Sequence, residues 1–104
     1  MEKKLDLATE YAERIRAKLG PEVKRIILFG SRARGDAAEG SDYDCIVVVK
    51  RRTPRMREAI LDADTEMLDR YDQLFAALLY SEEEWQRCQK FPLAWNVKKE
   101  GIPL

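Results

Sequence analysis

The sequence predicts an α/β (α+β) fold, a small mixed β-sheet packed with helices. Three observations carry that prediction. Apolar residues recur at helical spacing in some segments and as β-branched runs in others. The two kinds of segment alternate along the chain, in the order αβ(α)βαβα. The 104 residues amount to a single domain, residues 1–104, without repeat, linker or low-complexity stretch.

The first helix is read over residues 2–19, where Leu5, Ala8, Ala12, Ile15 and Leu19 recur at spacings of three and four between Glu, Lys and Arg. Gly20 and Pro21 stop it. Residues 23–29, β-branched and aromatic, read as a strand bounded by Pro21 and Gly30. Residues 30–41 hold three glycines and few large apolar groups; the early part can open a short helix, and the remainder reads as loop. Residues 42–49 form the second strand, closed by Lys50, Arg51 and Arg52.

Thr53 as N-cap and Pro54 at the first helical position open the next helix, whose face is Met56, Ile60, Ala63, Met67 and Tyr71. Residues 73–80 read as a third strand. Ser81-Glu82-Glu83-Glu84 is a capping box for a short helix through about Lys90. Phe91-Pro92 breaks it, and residues 93–100 make a last turn or two before Gly101 and Pro103. A long helical crossover joins parallel neighbours, so strands two and three are expected to be parallel. The short link between strands one and two permits a mixed sheet.

Composition removes several functions. Lys and Arg number 19 against 19 Asp and Glu, so there is no global basic field and direct nucleic-acid binding is not expected. With no histidine, an imidazole-based triad and His-ligated zinc are excluded. At 37% charged and 45% hydrophobic, the chain is neither a disordered tail nor a membrane protein. Residues 1–6 lack an apolar stretch, and the longest apolar run, Cys45 to Val49, is far short of a span, so a cytoplasmic location is expected. Cys45 and Cys88 have no metal or redox spacing and read as reduced thiols. A domain of this size buries about 60–65% of its unfolded surface, and an enzyme so small needs a partner, a homo-oligomer or a large substrate to complete its cleft.

The chemistry concentrates in residues 29–49. Asp42 and Asp44 stand two apart on a strand and project from one face. Two close carboxylates repel unless a cation lies between them, and oxygen-only ligands favour Mg²⁺ or Mn²⁺. Gly30 lets a phosphate approach the backbone, and the Ser31 hydroxyl and the amides of a helix start supply donors. Arg32 and Arg34 lie just beyond, where either can pair with a phosphate oxygen. Tyr43 is expected on the opposite face, in the core; Trp85, Trp95 and Phe91 are expected to pack the C-terminal helices on the sheet.

Gly30-Ser31, ten further residues and then Asp42-x-Asp44 resemble the signature of the DNA polymerase β-like nucleotidyltransferase superfamily. Residues 27–35, 40–44, 81–85 and 96–102 are similar to the minimal nucleotidyltransferases of about a hundred residues. The resemblance implies the polymerase β-palm-like fold and transfer of a nucleoside monophosphate, AMP from ATP, to an acceptor hydroxyl. It implies Gly30 and Ser31 on the β- and γ-phosphates, and Mg²⁺ on Asp42 and Asp44. It also implies a setting, in which such a protein is the antitoxin of a toxin–antitoxin pair and its partner is a helical HEPN-type toxin.

Active members of that superfamily carry a third acidic residue on the next strand. Here its only carboxylate is Asp72, at the strand entry; Leu74, Phe75 and Ala76 further in cannot bind metal. Asp72 is accordingly the candidate third catalytic and metal-binding residue. The alternative is a helix-end residue in a catalytically degenerate subunit that binds nucleotide or masks its partner by contact. A small-molecule acceptor is a third reading, although such enzymes usually carry an extra helical domain.

Overall fold

The computed structural model describes residues 3–38 and 40–104, with side chains from Leu7 onward; Glu2, Glu39 and the Leu5 side chain lie outside the described residues. Helix α1 (Lys3–Leu19) buries Ala8, Tyr11, Ala12 and Ile15, the face its periodicity marks. A 3-10 turn at Gly20–Glu22 delivers strand β1 (Val23–Phe29). A one-turn helix α2 (Ser31–Arg34) and a loop lead to strand β2 (Tyr43–Val49). Helix α3 (Pro54–Tyr71) starts where the Thr53 hydroxyl accepts from the Met56 amide, and buries Met56, Ile60, Ala63 and Met67. Strand β3 (Phe75–Ser81) follows, then α4 (Glu82–Arg87), a 3-10 turn (Cys88–Lys90), α5 (Pro92–Glu100) and a short β4 (Ile102–Pro103).

The four strands lie in the order β3-β2-β1-β4. β2 runs antiparallel to β1 and parallel to β3, and β1 is antiparallel to β4. The helical crossover thus joins parallel neighbours and the short link joins antiparallel ones, as expected. β2 is central and its residues from Cys45 to Val49 are buried on both faces, which explains the unbroken apolar run. Tyr43, Cys45, Val47 and Val49 pack with α1 and α3, and Ile46 and Val48 with Trp85, Ala94 and Val97. Each fully buried Ile or Val contributes about 1.5–3 kcal/mol relative to exposure.

Several boundaries move. Asp42 precedes β2 and is not part of it; β3 begins at Phe75 and not at 73. The last turn or two expected at residues 93–100 is a nine-residue helix with Pro92 in its first turn. β4 has no counterpart among the expected elements, because two residues have no period to read. Where α5 ends, a Cβ on Gly101 would stand 2.6 Å from Ile27 Cγ2, so only glycine lets the chain pass so close to β1. Of the three aromatics expected in the packing, Trp85 is buried, whereas Phe91 and Trp95 are 55% and 63% exposed. Both cysteines are free, Cys45 buried and Cys88 partly so. No described helix is long and apolar enough to cross a membrane.

Candidate active site

Strand register decides what meets at the sheet's end. Phe29 stands opposite Asp44 in the β1–β2 pair, so Gly30, the next residue, lies against the Asp44 side chain. A Cβ on Gly30 would be 3.0 Å from Asp44 Oδ2. Gly30 also adopts φ 77°, ψ −158°, a region open essentially only to glycine. It caps α2, and its carbonyl accepts from the Ala33 and Arg34 amides at 3.1 and 3.0 Å. The Ser31 and Arg32 amides, in the first turn, have no helical acceptor of their own.

Asp44 shares the sheet face of Ile46 and Val48, but lies beyond the residues that α4 and α5 cover, so it is half-buried. Burial, and then the charge of nearby Asp42, push its carboxyl above the ordinary carboxylate value. Asp42 itself is exposed on the approach to β2. Two interacting carboxylates of which one is partly desolvated suit a hard cation, since oxygen donors are all they offer.

Tyr43 projects to the other face, fully buried, stacked on Phe75 at 4.5 Å, which in turn stacks on Tyr11 at 4.4 Å. The Tyr11 hydroxyl donates to Asp64 at 2.5 Å, and this column ties β2 to α1 and α3. Burial raises the Asp64 carboxyl.

The two arginines, expected near phosphate, are each engaged with protein groups. Arg32 is 9% exposed, with its Cζ 4.5 Å from the Tyr43 ring centroid. Its Nε and Nη2 donate to the Ser41 carbonyl at 3.1 and 2.8 Å. It therefore holds the loop before Asp42. Arg34 pairs with Asp36 and Glu100 at 3.1 and 3.0 Å, which turns its charge to the α5 side. Gln73, which sequence reasoning passed over, donates to the same Ser41 carbonyl at 2.9 Å. No sequence signal marks it, because its acceptor is a backbone oxygen 32 residues away.

Asp72 lies at a helix end. It is the C-cap of α3, at φ 53°, with its amide donating to the Leu68 carbonyl. Among the described residues no group of three His, Cys, Asp or Glu side chains is placed to hold a metal, so Asp72 does not join Asp42 and Asp44 in such a group. The residue beside Asp44 on β3 is Ala76.

Residues 9–97 match the nucleotidyltransferase domain family. A Methanocaldococcus jannaschii protein carrying the provisional name protein adenylyltransferase is 33% identical over 95 residues, 91% of each chain. A provisionally named nucleotidyltransferase from Sulfolobus solfataricus superposes with a TM-score of 0.56 at 25% identity, covering 97% of this chain and 78% of that one. A complex of tri-AMPylated Shewanella oneidensis HEPN toxin with its MNT antitoxin contains the same fold, with a TM-score of 0.58 at 17% identity, over 96% and 70% of the two chains. Fold, the neighbouring Gly30-Ser31 and Asp42/Asp44 elements, and these likenesses agree: the chain belongs to the nucleotidyltransferase domain family.

Proposed function

We propose that this protein transfers AMP from ATP to a hydroxyl on a protein partner, a HEPN-type toxin that it silences as antitoxin. The observation that carries the reading is the close approach of Gly30 to Asp44, which sets Ser31 and the first-turn amides of α2 beside the carboxylate pair. The adenylyl donor and protein acceptor are supported by the name of the 33% identical relative. The HEPN partner is supported by the Shewanella complex, whose toxin is AMPylated.

In this reading the Ser31 hydroxyl and the first-turn amides of α2 bind the β- and γ-phosphates. Asp42 and Asp44 are the residues that would hold Mg²⁺, which would supply neutralisation of phosphate charge and activation of the attacking oxygen. Arg32 and Gln73 fix the Ser41 carbonyl and so the approach of Asp42. The acceptor hydroxyl oxygen forms a bond to the α-phosphorus and releases its proton to solvent, the bond from that phosphorus to the α–β bridging oxygen breaks, and pyrophosphate leaves with its electron pair.

The rival reading, masking by contact alone, draws support from the missing three-carboxylate group among the described residues. Incubation with labelled ATP, Mg²⁺ and a HEPN-type partner from the same genome separates the two. Label on the partner, lost in Asp44→Asn, is the expected result. Inhibition of the partner with no label on it means masking, and no effect of either kind overturns both.

A further inference from the structure

Strand β1 opens irregularly. Val23 and Ile26 both pack into the core with α1, although residues three apart on a regular strand face opposite ways. The register against β2 shifts between Val23 and Arg25, and this bulge turns Lys24 and Arg25 out of the core together. Among the described residues β4 pairs only with Ile27 and Leu28, so no strand covers the bulge.

A cavity of about 360 Å³ lies between the bulge and the C-terminal helices. Buried Val48 and Trp85 line it, together with three exposed cations, Lys24 and Arg25 from β1 and Lys98 from α5. Its other polar groups are Glu82, Gln86 and Gln89. Asp44 stands on the same sheet face as Val48, but four residues earlier on β2, about 13 Å away.

Ion pairing leaves these cations over. Among the described residues the ion pairs take up Arg14, Lys18, Arg34, Arg52 and Arg87. Lys24, Arg25 and Lys98 stand in none of them, and Glu82, in the same wall, pairs with none of the three. Lys24 and Arg25 also line a neighbouring cavity with Arg16, which adds to the positive field from the other side.

Charge and size select the occupant. Three cations against one carboxylate leave two net positive charges, which match a phosphate monoester at about −1.5 to −2 near pH 7. A bare phosphate would leave most of the space empty, since the volume falls within the range of small-molecule sites, about 300–1,000 Å³. Glu82 can only accept when ionised. Gln89 has its side-chain nitrogen on the Trp85 carbonyl at 2.8 Å, which leaves its side-chain oxygen to accept. The remainder of the ligand must therefore present hydroxyl or amino donors.

We propose that this cavity is a second ligand site, separate from Asp42 and Asp44, for a polar phosphate monoester of the sugar or nucleoside class. Lys24, Arg25 and Lys98 hold the phosphate, and Glu82 and Gln89 accept from the hydroxyls of the attached sugar.

A nuclear magnetic resonance titration of the intact chain without divalent metal tests this, with AMP, ribose 5-phosphate and inorganic phosphate as probes. AMP and ribose 5-phosphate should shift the Trp85 indole and the Lys24, Arg25 and Lys98 amides saturably, and more tightly than inorganic phosphate does. Arg25→Gln and Lys98→Gln should each weaken this binding roughly tenfold, with the rest of the spectrum unchanged. Asp44→Asn should leave it as it is. Tighter binding of AMP than of ribose 5-phosphate assigns the site to a nucleoside phosphate, and equal binding assigns it to the sugar phosphate; both support the proposal. No saturable shift at these residues overturns it, as do shifts confined to Gly30 and Ser31. Inorganic phosphate binding as tightly as both esters, or affinity unaltered in both Gln variants, overturns it too.

Discussion

Gly30 and Asp44 sit so close that the space between them has no room for a methyl group. Gly30→Ala therefore meets two penalties, a backbone conformation closed to alanine and a contact with the Asp44 carboxylate. The conformation alone costs about 1–3 kcal/mol. Urea denaturation should show a loss of at least that size, accompanied by loss of ATP binding; an unchanged midpoint would mean the close approach is not real. Asp44 carries a second consequence. Its carboxyl is raised by burial and by Asp42, so the folded protein holds that proton more tightly than the unfolded chain does. Stability from this group is complete below the ordinary aspartate value of about 3.9 and declines as pH rises toward the raised folded value. Asp44→Asn should then melt higher than the wild type at neutral pH without metal, and the two should converge in acid. A variant that melts lower at neutral pH would contradict the assigned burial. The Gly-Ser and Asp-x-Asp spacing was legible because each residue type has its own local chemistry. The role of Arg32 was not, because its partners are a backbone oxygen and an aromatic face that only folding brings near.

At the scale of elements, register matters more than composition. β1 and α3 were legible to the residue, since Pro21 and Gly30 bound one and Thr53-Pro54 opens the other. The expected start of β3 lies two residues early because Leu74 continues its apolar pattern. The chain in fact spends Asp72 in a left-handed cap, and the Leu74 carbonyl accepts from the Tyr43 amide before β3 begins. The same register places Ala76 beside Asp44 on an exposed stretch of one face. Ala76→Asp should therefore supply the third carboxylate that the described residues do not assemble. We expect half-saturation by Mg²⁺ to fall roughly tenfold, the effect of about 1.4 kcal/mol, with a lower melting temperature when no metal is present. An unaltered Mg²⁺ requirement would show that position 76 does not face the site.

For the whole molecule, the balanced charge conceals an arrangement. Asp42 and Asp72 stand where β2 and β3 begin, whereas Lys50, Arg51 and Arg52 share the other end with Glu82, Glu83 and Glu84, and Arg52 pairs with Glu84. The sheet's two faces are covered unequally: α1 and α3 seal one, while α4 and α5 cover Ile46 and Val48 but leave Asp44 accessible. This inequality leaves Asp44 open beside Gly30 at the end of the sheet. In the proposed function, Asp42, Asp44, Gly30 and Ser31 act together as a metal-dependent nucleotide site. Isothermal titration with ATP tests that claim most directly, with Mg²⁺, with chelator, and on Asp44→Asn. Binding by the wild type that needs Mg²⁺ and disappears in the variant is the predicted result. Binding that is absent from the wild type, or indifferent to both Mg²⁺ and Asp44, would contradict it.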